Sequence, residues 1–330
     1  MPYTVALSFD QYRTKTVDLD PVETAIARKS RDYLVEQLGQ LPSRDSTFPP
    51  LYGGCQYFGS FARKTKVRPL DDIDLLLLLN GKNTSAEFYS GYTYQVRVTD
   101  NTCVLWRYTD NGYLNSTKVL NKLKSSLQII PSYQKAESKR TGEAVTLKLT
   151  SYSWVFDIVP AFPVSDGMGG TAYYLISDGD SRWKRTDPRS DQATITAANQ
   201  HHKNFLIPLI RVMKYWNTNS RAAPRLMSYY FETMLINGLK FQPSLGGIRE
   251  SIPLAFRQLA NQVVLSCPDQ KGLGPNLDSD VSWDTKSKVQ EAATKRAEYA
   301  DWALEYERQG NHIEAIKWWG YTLPDFPPYG

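Results

Sequence analysis

The chain has 330 residues, which at about 150 residues per domain suggests two domains, and 41% of them are hydrophobic while 22% are charged. This composition is ordinary for a globular protein, and a chain of this length holds a core without disulfide or metal staples. The net charge of +5 is well mixed along the chain, which argues against a dedicated nucleic-acid arm. The longest aliphatic run, Leu75–Leu79, is too short to span a bilayer, so we expect no membrane segment.

The number and spacing of the cysteines indicate whether the protein works in an oxidising or a reducing compartment. Cys55, Cys103 and Cys267 are far apart and odd in number, which argues against a disulfide framework and favours a reducing environment. The N-terminus lacks a basic stretch followed by an apolar one, so we find no secretory signal. No group of Cys and His has the spacing of zinc ligands. We therefore expect a cytoplasmic protein without structural zinc.

Apolar periodicity predicts a β-rich first part of the chain. A helix is predicted over residues 20–39, a hairpin over residues 92–108 with its turn at Asp100-Asn101, and a helix from Ser116 to about residue 130. The predicted strands cover residues 56–58, 73–79, 145–149 and 154–159.

From about residue 190 onward, apolar residues recur at helical spacing. The predicted helices cover residues 193–217, 227–239, 254–266, 286–309 and 313–319. The fold class expected is thus an α/β (α+β) lobe with a mixed sheet, residues 1–200, followed by a helical C-terminal domain, residues 201–330.

Three aspartates lie in or directly beside predicted strands, where charged side chains are rarely left without a partner. Asp72 and Asp74 point to the same side of one strand, with Cα atoms about 6.6 Å apart, and Asp157 lies in another apolar strand. Like charges on a buried strand repel one another, so a divalent cation is expected to neutralise them if the two strands pair. Oxygen ligands favour Mg²⁺ or Mn²⁺, and two such ions can promote phosphoryl transfer.

A Gly59-Ser60 turn precedes the first aspartate strand by about a dozen residues. Glycine lets the backbone approach a ligand closely, and free N–H groups with the Ser60 hydroxyl can bind a phosphate. A surface turn beside an ion-paired strand is the alternative interpretation. The combination of Gly-Ser, Asp-x-Asp and a third strand aspartate favours a nucleotide site.

These motifs resemble a known family. Residues 57–74 are similar to the signature of the polymerase-β-like nucleotidyltransferases, and more narrowly to that of the cyclic GMP–AMP synthase/DncV-like nucleotidyltransferases (CD-NTases) of bacterial anti-phage signalling. Residues 157–162 resemble that family's third-carboxylate motif. Residues 199–217 resemble its central helix and residues 228–232 its following helix. Lys64 is a departure, since many members have glycine at this position.

The resemblance implies roles for residues of the second lobe. Lys214 and Ser228 occupy positions that contact the donor triphosphate, and Tyr229 would stack on the donor base. Arg211 lies one turn before Lys214 on the same helix face, which favours a second phosphate contact.

Trp183, in a polar stretch, is the one tryptophan that we consider as an exposed platform for a base.

The resemblance implies an active site in the cleft between the lobes, with Asp72 and Asp74 holding both metals and Asp157 the catalytic one. The reaction would join nucleoside triphosphates, ATP and GTP among them, into a cyclic di- or trinucleotide, without a requirement for nucleic acid. A separate effector protein would bind this second messenger in anti-phage (CBASS) defence, and the regulatory partner is not identified. Two alternatives stay open, namely an enzyme that extends RNA or tRNA 3′ ends and a catalytically silent nucleotide-sensing scaffold.

Overall fold

The computed structural model describes residues 2–330, and none of its helices is both long enough and apolar enough to pass through a bilayer. The strands, in chain order, are β1 (Leu51–Phe58), β2 (Asp72–Leu79), β3 (Thr84–Ser90), β4 (Thr93–Val98), β5 (Thr109–Asp110), β6 (Tyr113–Leu114), β7 (Glu137–Thr141), β8 (Ala144–Lys148), β9 (Val155–Ser165), β10 (Thr171–Ser177) and β11 (Trp183–Thr186).

The helices lie before, among and after these strands. They are α1 (Val5–Gln11), α2 (Pro21–Gly39), α3 (Leu41–Arg44), α4 (Gly59–Ala62), α5 (Ser116–Leu127), α6 (Pro188–His201), α7 (Leu206–Asn219), α8 (Ser228–Leu239), α9 (Ile248–Val263), α10 (Trp283–Arg308) and α11 (His312–Thr322). A π-helical turn over Tyr12–Val17 follows α1 directly.

The chain divides into two compact units. The sheet unit comprises residues 22–63 and 70–190, and the helical unit comprises residues 1–21, 64–69 and 191–330. Residues 64–69 therefore belong to the helical unit although sheet-unit residues flank them on both sides.

A mixed sheet runs through the sheet unit in the order β1-β2-β9-β10-β11-β4-β6-β5. Strands β2 and β9 are parallel neighbours, and the other neighbours along this path are antiparallel. Strand β9 is long enough to pair with β8 near its start and with β10 near its end. The two strands predicted to carry the aspartates thus lie side by side inside the sheet.

Side chains alternate between the two faces of the sheet along β2 and β9, and at the start of both strands one face is apolar while the other carries the aspartates. Ile73, Leu75, Phe156 and Ile158 are almost fully buried on one face. Helix α5, which packs against β8, β9 and β10, begins after Asn115, whose side chain accepts a hydrogen bond from the backbone of Lys118. The aspartates occupy the opposite face, because they alternate with these residues along each strand.

Large aromatic residues fill the core of the helical unit. Trp216 on α7 packs edge-to-face on Phe256 of α9, with ring centroids 5.1 Å apart. Phe9 of α1 packs in the same way on Trp319 of α11 at 4.8 Å. All four side chains are buried, so the first helix of the chain is part of this core.

The predicted hairpin over residues 92–108 is wrong in its position. The hairpin joins β3 to β4 instead, and its two-residue turn contains Gly91 at a φ of 55°. The Asp100 carboxylate accepts hydrogen bonds from the backbone and hydroxyl of Thr102, and a 3₁₀ turn follows over Val104–Tyr108. These local bonds turn the chain away from a second strand.

The helix predicted over residues 193–217 is two helices, α6 and α7. Lys203 and Asn204 both have left-handed backbone conformations, which end the first helix. The Asn199 side chain stabilises the break, because it donates to Asn204 and accepts from the backbone of Ile207.

The prediction that Trp183 is an exposed base platform is wrong. The side chain is 1% exposed, and its indole N–H donates a 2.9 Å hydrogen bond to the carbonyl of Leu114. Strand β11 begins at this residue, so the polar neighbours alternate outward while the tryptophan packs against Phe162.

Candidate active site

The sheet places three carboxylates on one face. Asp74 on β2 is level with Asp157 on the parallel strand β9, and Asp72 lies two residues before Asp74. Residues that are level in neighbouring strands, and residues two apart in one strand, point to the same side. The pairing of two strands that are far apart in sequence therefore brings the three predicted aspartates together on one surface.

Gly59 lies directly against one of these carboxylates. It follows Phe58, the residue of β1 that is level with Asp74, and has a φ of 74°. A Cβ atom added to Gly59 would lie 1.7 Å from Asp74 Oδ2, so the Asp74 side chain or the turn itself would have to move. The Gly-Ser turn and the Asp-x-Asp strand are thus one structural unit, and the glycine is required by both conformation and space.

Thr146 on β8 extends the row on the far side of Asp157. The two residues are level in antiparallel strands, and the Thr146 hydroxyl donates a 2.6 Å hydrogen bond to Asp157 Oδ1. This hydrogen bond restricts the rotamer of the Asp157 carboxylate. The sequence analysis missed this threonine, although its place in a strand next to that of Asp157 could have indicated the contact.

The donor chemistry of this face fits a hard divalent cation, since carboxylate oxygens dominate it. Within residues 2–330, however, no three His, Cys, Asp or Glu side chains are grouped closely enough to hold a metal ion in the conformation described. The backbone register thus places the three carboxylates on one face of the sheet. The metal role of Asp72, Asp74 and Asp157 stays a prediction.

The structure places Lys214, the predicted phosphate ligand, inside the helical unit. Its side chain on α7 is buried, and its ammonium lies 3.1 Å from Glu232 Oε2 on α8. The same carboxylate oxygen accepts a 2.9 Å hydrogen bond from the hydroxyl of Thr65. A buried ammonium needs such a partner, because the desolvation of an uncompensated charge is costly.

Arg211 has partners of its own in the helical unit. Its Nε lies 2.7 Å from the Asp18 carboxylate, and its Nη1 donates to the backbone carbonyl of Lys64 at 3.1 Å. Lys64 has a φ of 62°, a conformation that glycine adopts freely. Arg211 therefore anchors the chain around Lys64 in this structure, and its predicted contact with a phosphate is not tested.

Ser228 and Tyr229 begin helix α8. Ser228 is exposed, whereas Tyr229 is held in a polar cluster. The Tyr229 hydroxyl donates to Asp191 at 2.6 Å, and the ammonium of Lys271 donates to that hydroxyl at 2.7 Å and lies 4.3 Å from the ring centroid. Asp269 completes the cluster through a 3.0 Å ion pair with Lys271. These contacts fix the ring of the predicted base-stacking residue.

Comparison with known proteins decides the family. Two solved structures share the fold. CdnC of Escherichia coli MS115-1 with ATP matches with a TM-score of 0.72 and 16% identity, over 97% of this chain and 98% of that one. A D-loop deletion mutant of the Vibrio cholerae di-nucleotide cyclase DncV matches with a TM-score of 0.69 and 12% identity, over 99% of this chain and 97% of that one. A curated protein of Bacillus cereus (strain VD146), described as a probable cyclic nucleotide synthase, is 40% identical over 332 aligned residues, which cover 100% of this chain and 99% of the relative. The chain belongs to the CD-NTase family.

As a CD-NTase, the chain is a nucleotidyltransferase, and the family resemblance inferred from residues 57–74, 157–162, 199–217 and 228–232 is confirmed. The expected fold class, a mixed sheet with a helical C-terminal region, is confirmed as well. The same E. coli CdnC has also been solved in complex with a HORMA protein, and that structure matches with a TM-score of 0.69 and 16% identity over 97% of this chain and 96% of that one. No protein-family model matches the chain.

Proposed function

We propose that this CD-NTase synthesises a cyclic di- or trinucleotide second messenger from nucleoside triphosphates. The observation that carries the proposal is the full-length 40% identity to the relative described as a cyclic nucleotide synthase. The shared face of Asp72, Asp74 and Asp157 supplies carboxylates suited to such chemistry. The E. coli CdnC structure with ATP supports nucleoside triphosphates as the substrates.

The reaction requires a ribose hydroxyl of one nucleotide to attack the α-phosphorus of another. The bond between the α-phosphorus and the bridging oxygen breaks, pyrophosphate leaves, and the hydroxyl proton is released. Two Mg²⁺ or Mn²⁺ ions, when bound, would lower the charge on the α-phosphate and on the leaving oxygen. Asp72 and Asp74 would hold both ions, and Asp157, which accepts a hydrogen bond from Thr146, would hold the catalytic one.

Gly59, Ser60, Lys214 and Ser228 are proposed to bind the triphosphate, with Arg211 in support. Ser60 directly follows the glycine at which an added Cβ would meet Asp74, and both residues begin the short helix α4, which supports a phosphate role for this turn. Tyr229 is proposed to stack on the donor base, which its fixed ring favours because less side-chain freedom is lost on binding. The product would activate a separate effector protein in an anti-phage (CBASS) response.

Lys214→Ala is expected to weaken the binding of a non-hydrolysable nucleoside triphosphate roughly 10- to 150-fold, because a charge-assisted contact is lost. The variant should also lose about 3–5 kcal/mol of stability, since the buried Glu232 loses its cation. Calorimetric binding and urea unfolding measure the two effects separately. Lys286→Ala is the matched control, because Lys286 forms a buried 2.6 Å ion pair with Asp278 in the same unit. An equal affinity in the two variants would contradict the phosphate role of Lys214.

The proposed function is tested by the form of the product. The enzyme is incubated with labelled nucleoside triphosphates and a divalent cation, with and without added RNA, and the products are separated before and after phosphatase treatment. A cyclic product has no terminal phosphate, so we expect a discrete species of unchanged mobility that forms without RNA. A ladder of lengths, or label attached only to added RNA, would instead support the RNA-extending alternative.

A further inference from the structure

A short stretch of chain joins the two motifs of the sheet unit by way of the helical unit. Residues 64–69, which we call the crossing segment, group with the helical unit, whereas Arg63 before them and Leu70 after them group with the sheet unit. The Gly59-Ser60 turn lies just before this segment and Asp72 just after it. Contacts that hold the crossing segment in place therefore act on a stretch of chain that is connected directly to the Gly59-Ser60 turn and to the aspartate strand.

One buried carboxylate oxygen holds the start of this segment. Glu232 Oε2 accepts from the Thr65 hydroxyl at 2.9 Å and from the Lys214 ammonium at 3.1 Å. Thr65 is fully buried, and Glu232 and Lys214 are 2% and 4% exposed. Charged groups at this depth are rarely found unless they are paired, and here a neutral hydroxyl shares the pair.

Helix α7 provides a second anchor one turn away. Arg211 donates to the backbone carbonyl of Lys64 and pairs with Asp18, while Lys214 reaches Thr65 through Glu232. Two cations three residues apart on one helix face thus hold two consecutive residues of the crossing segment. Both cations are the ones that the sequence analysis assigned to phosphate binding.

We propose that Thr65 and Glu232 are positioning residues for Lys214 in nucleotide binding, an inference that rests on the proposed function. A lysine ammonium sits on a flexible four-carbon stem, so its location depends on the groups that accept from it. Glu232 fixes Lys214 relative to the crossing segment because the same oxygen also holds Thr65. Without the Thr65 hydroxyl, Glu232 Oε2 would still pair with Lys214 but would no longer bind the crossing segment.

Thr65→Val tests this proposal, because valine has nearly the same shape and lacks the hydroxyl. Thr322→Val is the matched control, since Thr322 is also buried in the helical unit and donates one 2.9 Å hydrogen bond, to the carbonyl of Trp318. Both variants should lower the melting temperature by similar amounts. Only Thr65→Val should weaken the binding of a non-hydrolysable nucleoside triphosphate, by roughly tenfold, and Thr65→Ser should restore most of the affinity.

Binding by calorimetry is the primary measurement, and turnover by the same proteins is recorded beside it. Equal affinities for Thr65→Val and Thr322→Val would overturn the positioning role, as would a wild type that binds no nucleotide. If the wild type binds nucleotide more tightly than Thr65→Val and yet forms no cyclic product, that result would support the positioning role and refute the proposed product.

Discussion

A protein that carries both Asp72→Asn and Asp74→Asn is expected to release pyrophosphate from nucleoside triphosphates on the order of 10³-fold more slowly than the wild type. The amides keep the shape of the carboxylates but remove two of the three negative charges on this face of the sheet. The melting temperature should be unchanged or higher, because like charges at this spacing repel one another. A coupled pyrophosphate assay and a thermal melt measure the two quantities.

Asp71→Asn is the control for this loss. Asp71 is exposed and directly precedes β2, so strand alternation directs its side chain away from that of Asp72. The control should retain turnover close to that of the wild type. Wild-type turnover by the double variant would show that the chemistry lies elsewhere in the molecule.

Gly59→Ala is expected to reduce turnover by about 100-fold or more, although the substitution adds a single methyl group. The new Cβ would occupy the position of Asp74 Oδ2, at 1.7 Å, and would displace this carboxylate from its place beside Asp157. The φ of 74° adds a backbone cost of about 1–2 kcal/mol for a residue other than glycine. An effect of this size from one methyl group is consistent with the sensitivity of catalysis to misplacement by about 1 Å.

Gly53→Ala separates the two causes. Gly53 lies on the same strand as Phe58 and has the same φ of 74°, but a Cβ at this position would meet nothing within 4 Å. Gly59→Ala should therefore lose more free energy of unfolding in urea than Gly53→Ala, whose cost comes from the backbone conformation alone, and only Gly59→Ala should lose turnover. Equal turnover in the two variants would mean that the close approach of Gly59 to Asp74 does not matter for the reaction.

Much of the carboxylate face was predictable from the sequence, because its geometry follows from strand periodicity. Asp72 and Asp74 lie in β2 and Asp157 lies in β9, as predicted. The parallel register that makes Asp74 level with Asp157 depends on the pairing of distant strands, which no local pattern shows. The resemblance to a family supplied the pairing that the residues alone left open.

The contacts of the helical unit were less predictable, since they depend on tertiary packing. The sequence gives Lys214 as a cation on an amphipathic helix, and only the fold shows that it is buried against Glu232. A signal was present, because Glu232 lies within a strongly apolar stretch of α8 and a charge there needs a partner. The second partner of Glu232, Thr65, lies in residues 64–69, which group with helices that lie far along the chain.

The turns that the sequence analysis placed wrongly share one physical cause. Gly91, Lys203 and Asn204 all adopt positive φ values, and only the glycine is a residue type that signals this conformation strongly. The helix break at Lys203 is stabilised by two hydrogen bonds of the Asn199 side chain, to residues five and eight positions further along the chain. Periodicity reports which residues face the core, and it does not report such side-chain caps.

If this enzyme closes a ring of nucleotides, as we propose, the mass of its product will show it. The purified wild type is incubated with all four nucleoside triphosphates and Mg²⁺ or Mn²⁺, and the products are measured by mass spectrometry. We predict a mass equal to two or three nucleoside monophosphates less one water for each, which is one water lighter than the linear oligonucleotide, and unchanged by phosphatase. A product that retains a terminal phosphate or triphosphate, with the mass of a linear chain, would contradict the account.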